Sequence, residues 1–218
     1  MIVNTSNNKN YFFVDGSDLV SDIIRLTRNG EKYPGKLLSC NAFINVFTGS
    51  HRWSKYHSYT FKRFEYFFPQ GEDQTSEFIE WPDWSIPDSH TDTHITFCGK
   101  NLSKWREFQK WKTDTVPDEY DEYVGRAEKG VDVEICCSAL SLASTAGIDR
   151  FFLYTNDSDF VPLFKALKRF GTNVGVFTLL PPLGRNEELQ KEADFYLYPT
   201  GNLAEGTDAI FIDQEQQS

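Results

Sequence analysis

A C-x-x-C pair is missing from this chain. Its four cysteines, Cys40, Cys98, Cys136 and Cys137, have neither zinc-ribbon nor dithiol-redox spacing and are expected to be small, reduced, buried side chains. Long apolar runs are missing as well. Nothing approaches the roughly 18 residues of a membrane-spanning helix, so no membrane association is expected. The segment Met1 to Asn10 is polar and lacks the charged and apolar regions of a secretory signal, which makes a cytoplasmic protein the expectation. Of the four histidines, His51, His57, His90 and His94, only His90 and His94 stand four apart, and they lie in a Pro/Asp/Thr-rich segment without helical pattern, which argues against a zinc site. Basic charge is scarce. With 22 basic against 32 acidic residues the net charge is −10, which counts against non-specific attraction to a phosphate backbone.

What remains is a globular composition, 39% hydrophobic and 16% aromatic over 218 residues, enough for one large α/β domain spanning 1–218. An apolar run, Tyr11 to Val14, leads through Asp15-Gly16-Ser17-Asp18 into a helical pattern with Leu19, Val20, Ile23, Ile24 and Thr27 on its apolar face. Strand-like pieces follow at Ala42 to Phe47 and Phe64 to Phe68. The stretch from Pro69 to Asp92 is acidic and rich in Pro and Trp, without periodicity, and reads as an inserted surface loop. His94 to Cys98 reads as a short strand and Val131 to Gly147 as a helix. Phe151 to Tyr154 is a second strand-like run, and Phe160, Leu163, Phe164 and Leu167 form the stripe of the helix after it. Asn173 to Thr178 and Phe195 to Tyr198 close the strand series, with a short helix at Glu187 to Glu192. The tail, 214–218, is expected to be disordered. Alternating strands and helices predict a mostly parallel central sheet with helices on both faces.

Both strand-to-helix junctions carry aspartates, Asp15 at one and Asp157 and Asp159 at the other, while Asp132 opens the helix that precedes the second strand. In an open parallel sheet such junctions crowd together at the carboxyl ends of the strands, where ligands bind. Crowded carboxylates repel unless a cation lies among them. Asp15, Asp132, Asp157 and Asp159 are therefore read as metal ligands and catalytic groups for Mg²⁺ or Mn²⁺, a combination suited to phosphodiester hydrolysis. Arg126 and Lys129, just ahead of the Asp132 helix, are candidate phosphate contacts. Each residue has a blander reading: Asp157 or Asp159 as a helix cap, Asp15-Gly16 as a turn, Asp132 as compensation of a helix dipole. The basic aromatic segment His51 to Tyr56 suits base stacking or plain loop anchoring. The run from Lys100 to Lys112 suits a solvated amphipathic helix.

Three segments, Phe13-Val14-Asp15-Gly16-Ser17-Asp18-Leu19, Lys129-Gly130-Val131-Asp132-Val133 and Thr155-Asn156-Asp157-Ser158-Asp159-Phe160-Val161-Pro162-Leu163, resemble the ordered signatures of the NYN domain family. The resemblance spans about residues 10–200 and is weakest over 29–125. It implies a three-layer PIN-like fold and a metal-dependent ribonuclease whose acidic site is formed by Asp15, Asp132, Asp157 and Asp159. Ser17, Asn156, Arg126 and Lys129 are taken as RNA contacts, with single-stranded RNA as the partner. The chain departs from the family twice: Asp18 stands where asparagine is common, and Ser138 where many members carry another aspartate. Both count as possible additional acidic or polar site residues. An incomplete site would instead leave a catalytically weakened module that binds RNA, or a protein partner through the loop 69–92. A phosphotransfer enzyme using the same carboxylates is a third reading, which no glycine-rich phosphate loop supports.

Overall fold

The structure, a computed structural model, describes residues 9–27, 33, 35–48, 61–70, 78–81, 92–101, 128–180, 187–198 and 210–213. In chain order these form β1 (Asn10–Asp15), α1 (Gly16–Thr27), β2 (Lys36–Ser39), α2 (Cys40–Thr48), β3 (Phe61–Pro69), β4 (Ile79–Glu80), β5 (Asp92–Cys98) and β6 (Lys100–Asn101). Then come β7 (Glu128–Lys129), α3 (Val131–Thr145), β8 (Arg150–Tyr154), α4 (Val161–Arg169), β9 (Asn173–Phe177), α5 (Glu187–Glu192), β10 (Phe195–Leu197) and β11 (Phe211–Asp213).

Six of these strands pair into one sheet in the order β10-β9-β8-β1-β3-β5, every pair parallel. From β1 the chain steps outward one way through β3 to β5. From β8 it steps the other way through β9 to β10. Right-handed crossovers in opposite directions must put their helices on opposite faces, and they do. Leu19, Ile23 and Leu26 of α1 pack with Phe12, Val14 and Phe64 on one face. Val131 and Ile135 of α3, Leu163 and Phe164 of α4 and Leu189 of α5 pack with Phe13, Phe67, Phe151 and Leu153 on the other. Alternate residues of β1 thus feed two cores, as the period of two in a strand requires. The result is the expected three-layer α/β architecture. Phe12 sits at its densest point, stacked on Phe64 at 4.5 Å between ring centroids and edge-on to Phe61 at 5.7 Å.

Several local expectations are corrected. Ala42 to Phe47 lies in α2, a helix: its mostly apolar run, interrupted only by Asn45, has no period that separates strand from buried helix, and Ser39 Oγ accepts from Ala42 N–H at 3.3 Å as a cap. On α1 the buried face is Leu19, Asp22, Ile23, Leu26 and Thr27, while Val20 and Ile24 are half-buried. Within 69–92, Ile79–Glu80 is β4, and Trp81 packs edge-on to Phe68 at 5.3 Å. β4 pairs with β2 and β2 with β11, a small second sheet that periodicity did not reveal because its strands are short. β11 also follows the strand at Phe195 that was expected to be the last. All four cysteines are free, but only Cys40 is fully buried, and Cys137 is exposed. The segments His51 to Tyr56 and Lys104 to Lys112, and the tail 214–218, lie outside the described residues. Among the described residues no helix is long and apolar enough to cross a membrane.

Candidate functional site

The strand order reverses between β1 and β8, which makes their shared carboxyl edge the topological switch point of the sheet. The helices that leave the two strands lie on opposite faces, the arrangement in which open α/β sheets bind their ligands. Asp15 is the last residue of β1. The β1–β8 ladder ends at Val14 and Tyr154, so Asp15 and Thr155 follow side by side, about 5 Å apart as neighbouring strands are. Asp157 stands two residues beyond Thr155. Asp15 and Asp157, remote in sequence, therefore share one rim.

Backbone N–H groups orient both carboxylates. Asp15, only 5% exposed, accepts on Oδ1 from Ser17 N–H at 3.0 Å and Asp18 N–H at 3.4 Å, which fixes the turn from β1 into α1. That turn requires Gly16, because a Cβ there would lie 2.4 Å from the Phe67 carbonyl oxygen and 2.2 Å from the Phe68 ring. Asp157 precedes a 3-10 turn at Ser158–Phe160, and its Oδ1 accepts from Asp159 N–H at 2.8 Å. Asp157 is thus a cap, and capping leaves it at the rim. Asp159 is exposed.

α3 runs antiparallel to β8, which follows it after a tight turn, so its first residues lie at the same carboxyl edge. Val131 anchors that end in the core shared with Phe13 and Phe67, and Asp132 beside it is exposed. β6 and β7 pair just before, setting Lys100 opposite Lys129 and bringing Gly99 against Gly130. Gly130 holds φ 102°, a left-handed conformation that favours glycine, and a Cβ there would lie 3.1 Å from the Gly99 Cα. Ser138 sits six residues along α3 from Asp132, about 9 Å farther from the rim at 1.5 Å per residue. Arg126 lies outside the described residues.

Asp18 takes a different place from the one its motif suggests. Its Oδ2 accepts from Thr155 Oγ1 at 2.7 Å and from Asn156 N–H at 2.5 Å, so it braces the start of α1 against the end of β8. Burial first, and then the Asp157 charge, push its carboxyl above the ordinary range, against hydrogen bonds from Asn156 and Thr155 that favour the charged form. Asn156 is likewise turned inward: its Nδ2 donates to Asp22 Oδ2 at 3.3 Å.

Asp22 lies outside all three motif segments. It is 2% exposed and accepts from Tyr154 Oη at 2.5 Å. Burial raises its carboxyl from 3.8 to about 6, with Asp18 adding to the rise and Tyr154, Asn156 and Arg25 opposing it. The available signal was an acidic residue on the Leu19, Ile23, Leu26 stripe, where a helix facing a core has no place for an unpaired charge.

The carboxylates are hard oxygen donors of the kind Mg²⁺ and Mn²⁺ take. Among the described residues, no group of three or more His, Cys, Asp or Glu side chains is gathered closely enough to hold a metal by protein ligands alone. Mg²⁺ does not need such a group, since it keeps several waters and leans on one or two carboxylates plus the phosphate oxygens of a substrate. The Asp15–Asp157 rim fits that demand.

Compared with known families, the chain matches the model described as NYN domain over residues 89–201. That span includes Asp132, Asp157 and Asp159 and begins after Asp15, which ends the strand paired with the one that leads to Asp157. No curated protein matches the chain.

Proposed function

Because the chain belongs to the NYN domain family, a PIN-like nuclease family, we propose that it is a metal-dependent ribonuclease hydrolysing RNA phosphodiester bonds at the carboxyl edge between β1 and β8. The observation that carries this reading is the pairing of β1 with β8, which brings Asp15 and the Asp157 turn to one rim at the switch point of the sheet.

Asp15 and Asp157 would hold Mg²⁺ or Mn²⁺, with Asp132 and Asp159 as further ligands or water-orienting carboxylates. Such a cation, when bound, lowers the pKa of an attacking water and neutralises charge growing on the phosphate. The chain's own contribution is placement. Ser17 and Asp18 N–H groups aim the Asp15 carboxylate, and Asp159 N–H aims that of Asp157. Lys129, in the β7 ladder ahead of Asp132, and Arg126 are proposed to meet the RNA backbone. Single-stranded RNA as the substrate form and a cytoplasmic setting belong to the same proposal.

A second reading, a module that binds RNA or a protein partner without turnover, draws on the net charge of −10, which disfavours a processive grip on polyanion. A panel of fluorescent RNA and DNA strands with Mg²⁺, Mn²⁺ or chelator separates the two. Cleavage of RNA that chelator stops supports the first reading. Binding that chelator leaves unchanged, with no cleavage at any metal concentration, refutes it.

A further inference from the structure

β8 ends at Tyr154, and two carboxylates one turn apart on α1 hold the segment that carries Asp157 on to the rim. Asp18 Oδ2 accepts from Thr155 Oγ1 at 2.7 Å and from Asn156 N–H at 2.5 Å. Asp22 Oδ2 accepts from Tyr154 Oη at 2.5 Å and from Asn156 Nδ2 at 3.3 Å. Three consecutive residues are therefore gripped from one helix face. The grip continues in both directions: Thr155 Oγ1 accepts from Asp157 N–H at 3.0 Å, and Tyr154 Oη accepts from Leu179 N–H at 3.1 Å, beyond the end of β9.

We propose that Asp22 is a positioning residue for the reaction: from inside the α1–sheet interface it fixes Tyr154 and Asn156, and through them the height and direction of the Asp157 turn. This inference rests on the ribonuclease reading for its kinetic consequence, while its structural content stands on the two hydrogen bonds that Asp22 accepts from Tyr154 and Asn156. Asp22 is 2% exposed and so does not touch RNA. A carboxylate buried among Leu19, Ile23 and Leu26 is also a poor choice for stability, since an apolar residue there would complete the stripe without any charge to desolvate. What the carboxylate offers, and an apolar residue cannot, is two acceptor sites on one oxygen for donors arriving from two different residues.

The test uses the full chain, a fluorescent single-stranded RNA with Mn²⁺, and the variants Asp22→Ala and Asp22→Asn, with amide hydrogen exchange across residues 154–159 measured in parallel. For folded Asp22→Ala the expected result is a loss of kcat of about tenfold to a hundredfold with KM within about twofold, because a turn displaced by an ångström spoils alignment without removing a substrate contact. Exchange at Asn156 and Asp157 should accelerate by about tenfold. Asp22→Asn keeps an acceptor oxygen for Tyr154 and should return kcat to within about threefold of the parent and restore the protection. Parental kcat, or parental protection, in folded Asp22→Ala overturns the proposal. If the parent cleaves no RNA, the ribonuclease reading fails, and the exchange result by itself decides the positioning role. Should Asp22→Ala fail to fold, Tyr154→Phe removes one of the two donors and is read the same way: faster exchange at residues 155–157 supports the role, and unchanged exchange overturns it.

Discussion

Replacing Asp22 by asparagine is expected to stabilise the fold at neutral pH and to do nothing in acid. In the folded protein this carboxyl is 2% exposed and its pKa is raised from 3.8 to about 6, burial being the largest cause. A group whose folded value lies above its unfolded one contributes stability that is fully present below 3.8 and is lost as pH rises through about 6. At about 1.4 kcal/mol per pH unit, the loss between those limits is about 3 kcal/mol. Asparagine has nothing to ionise and can accept from Tyr154 Oη in the same place, so it avoids that loss. Its advantage should therefore be near zero at pH 3.5, grow through pH 5 and level off above pH 6.5 at up to about 3 kcal/mol. For a chain of this size each kcal/mol is about 2–4 °C in melting temperature. Urea unfolding of both proteins at five pH values, followed by far-ultraviolet circular dichroism, measures the difference directly. A gap that is constant across pH, or a variant less stable than the parent at pH 7.5, refutes the argument that a buried, unneutralised carboxylate sits at this position.

Other perturbations separate placement from chemistry. Asp157→Asn should reduce metal-dependent RNA cleavage by about a hundredfold or more, since it removes a charged oxygen donor. Its stability in urea should stay within about 0.5 kcal/mol of the parent, because asparagine caps a helix as well as aspartate does. Tyr154→Phe withdraws the donor to Asp22 and the acceptor for Leu179 N–H, and should cost about 1–3 kcal/mol, more at pH 7.5 than at pH 4 because the lost bond is stronger to the ionised carboxylate. Gly16→Ala places a methyl group against the Phe67 carbonyl oxygen and the Phe68 ring, and should destabilise by about 1–3 kcal/mol in the same urea assay.

The two strand-to-helix junctions were legible because they are local. An apolar run, an aspartate and an amphipathic stripe follow one another within some twenty residues, and each piece reports its own burial through its period. The same logic fails where no period exists. α2 is apolar on most sides, so its run of Ala, Phe and Ile reads equally well as a strand, and β2, β4 and β11 are too short for an alternation to register. Asp18 shows a subtler limit. Its motif identifies it as a candidate for the acidic rim, yet its carboxylate is spent on Thr155 and Asn156, contacts that depend on where another strand ends.

By itself, then, the sequence determined that aspartates stand at two strand ends and at one helix start, since backbone propensity and hydrophobic period act over a few neighbouring residues. Only the tertiary structure decided that β1 lies beside β8, so that Asp15 meets the Asp157 turn, and that Asp22 is sealed beneath Tyr154. Strand order is chosen by which buried faces fit together over the whole chain. The local pattern names each face without naming the partner it will cover.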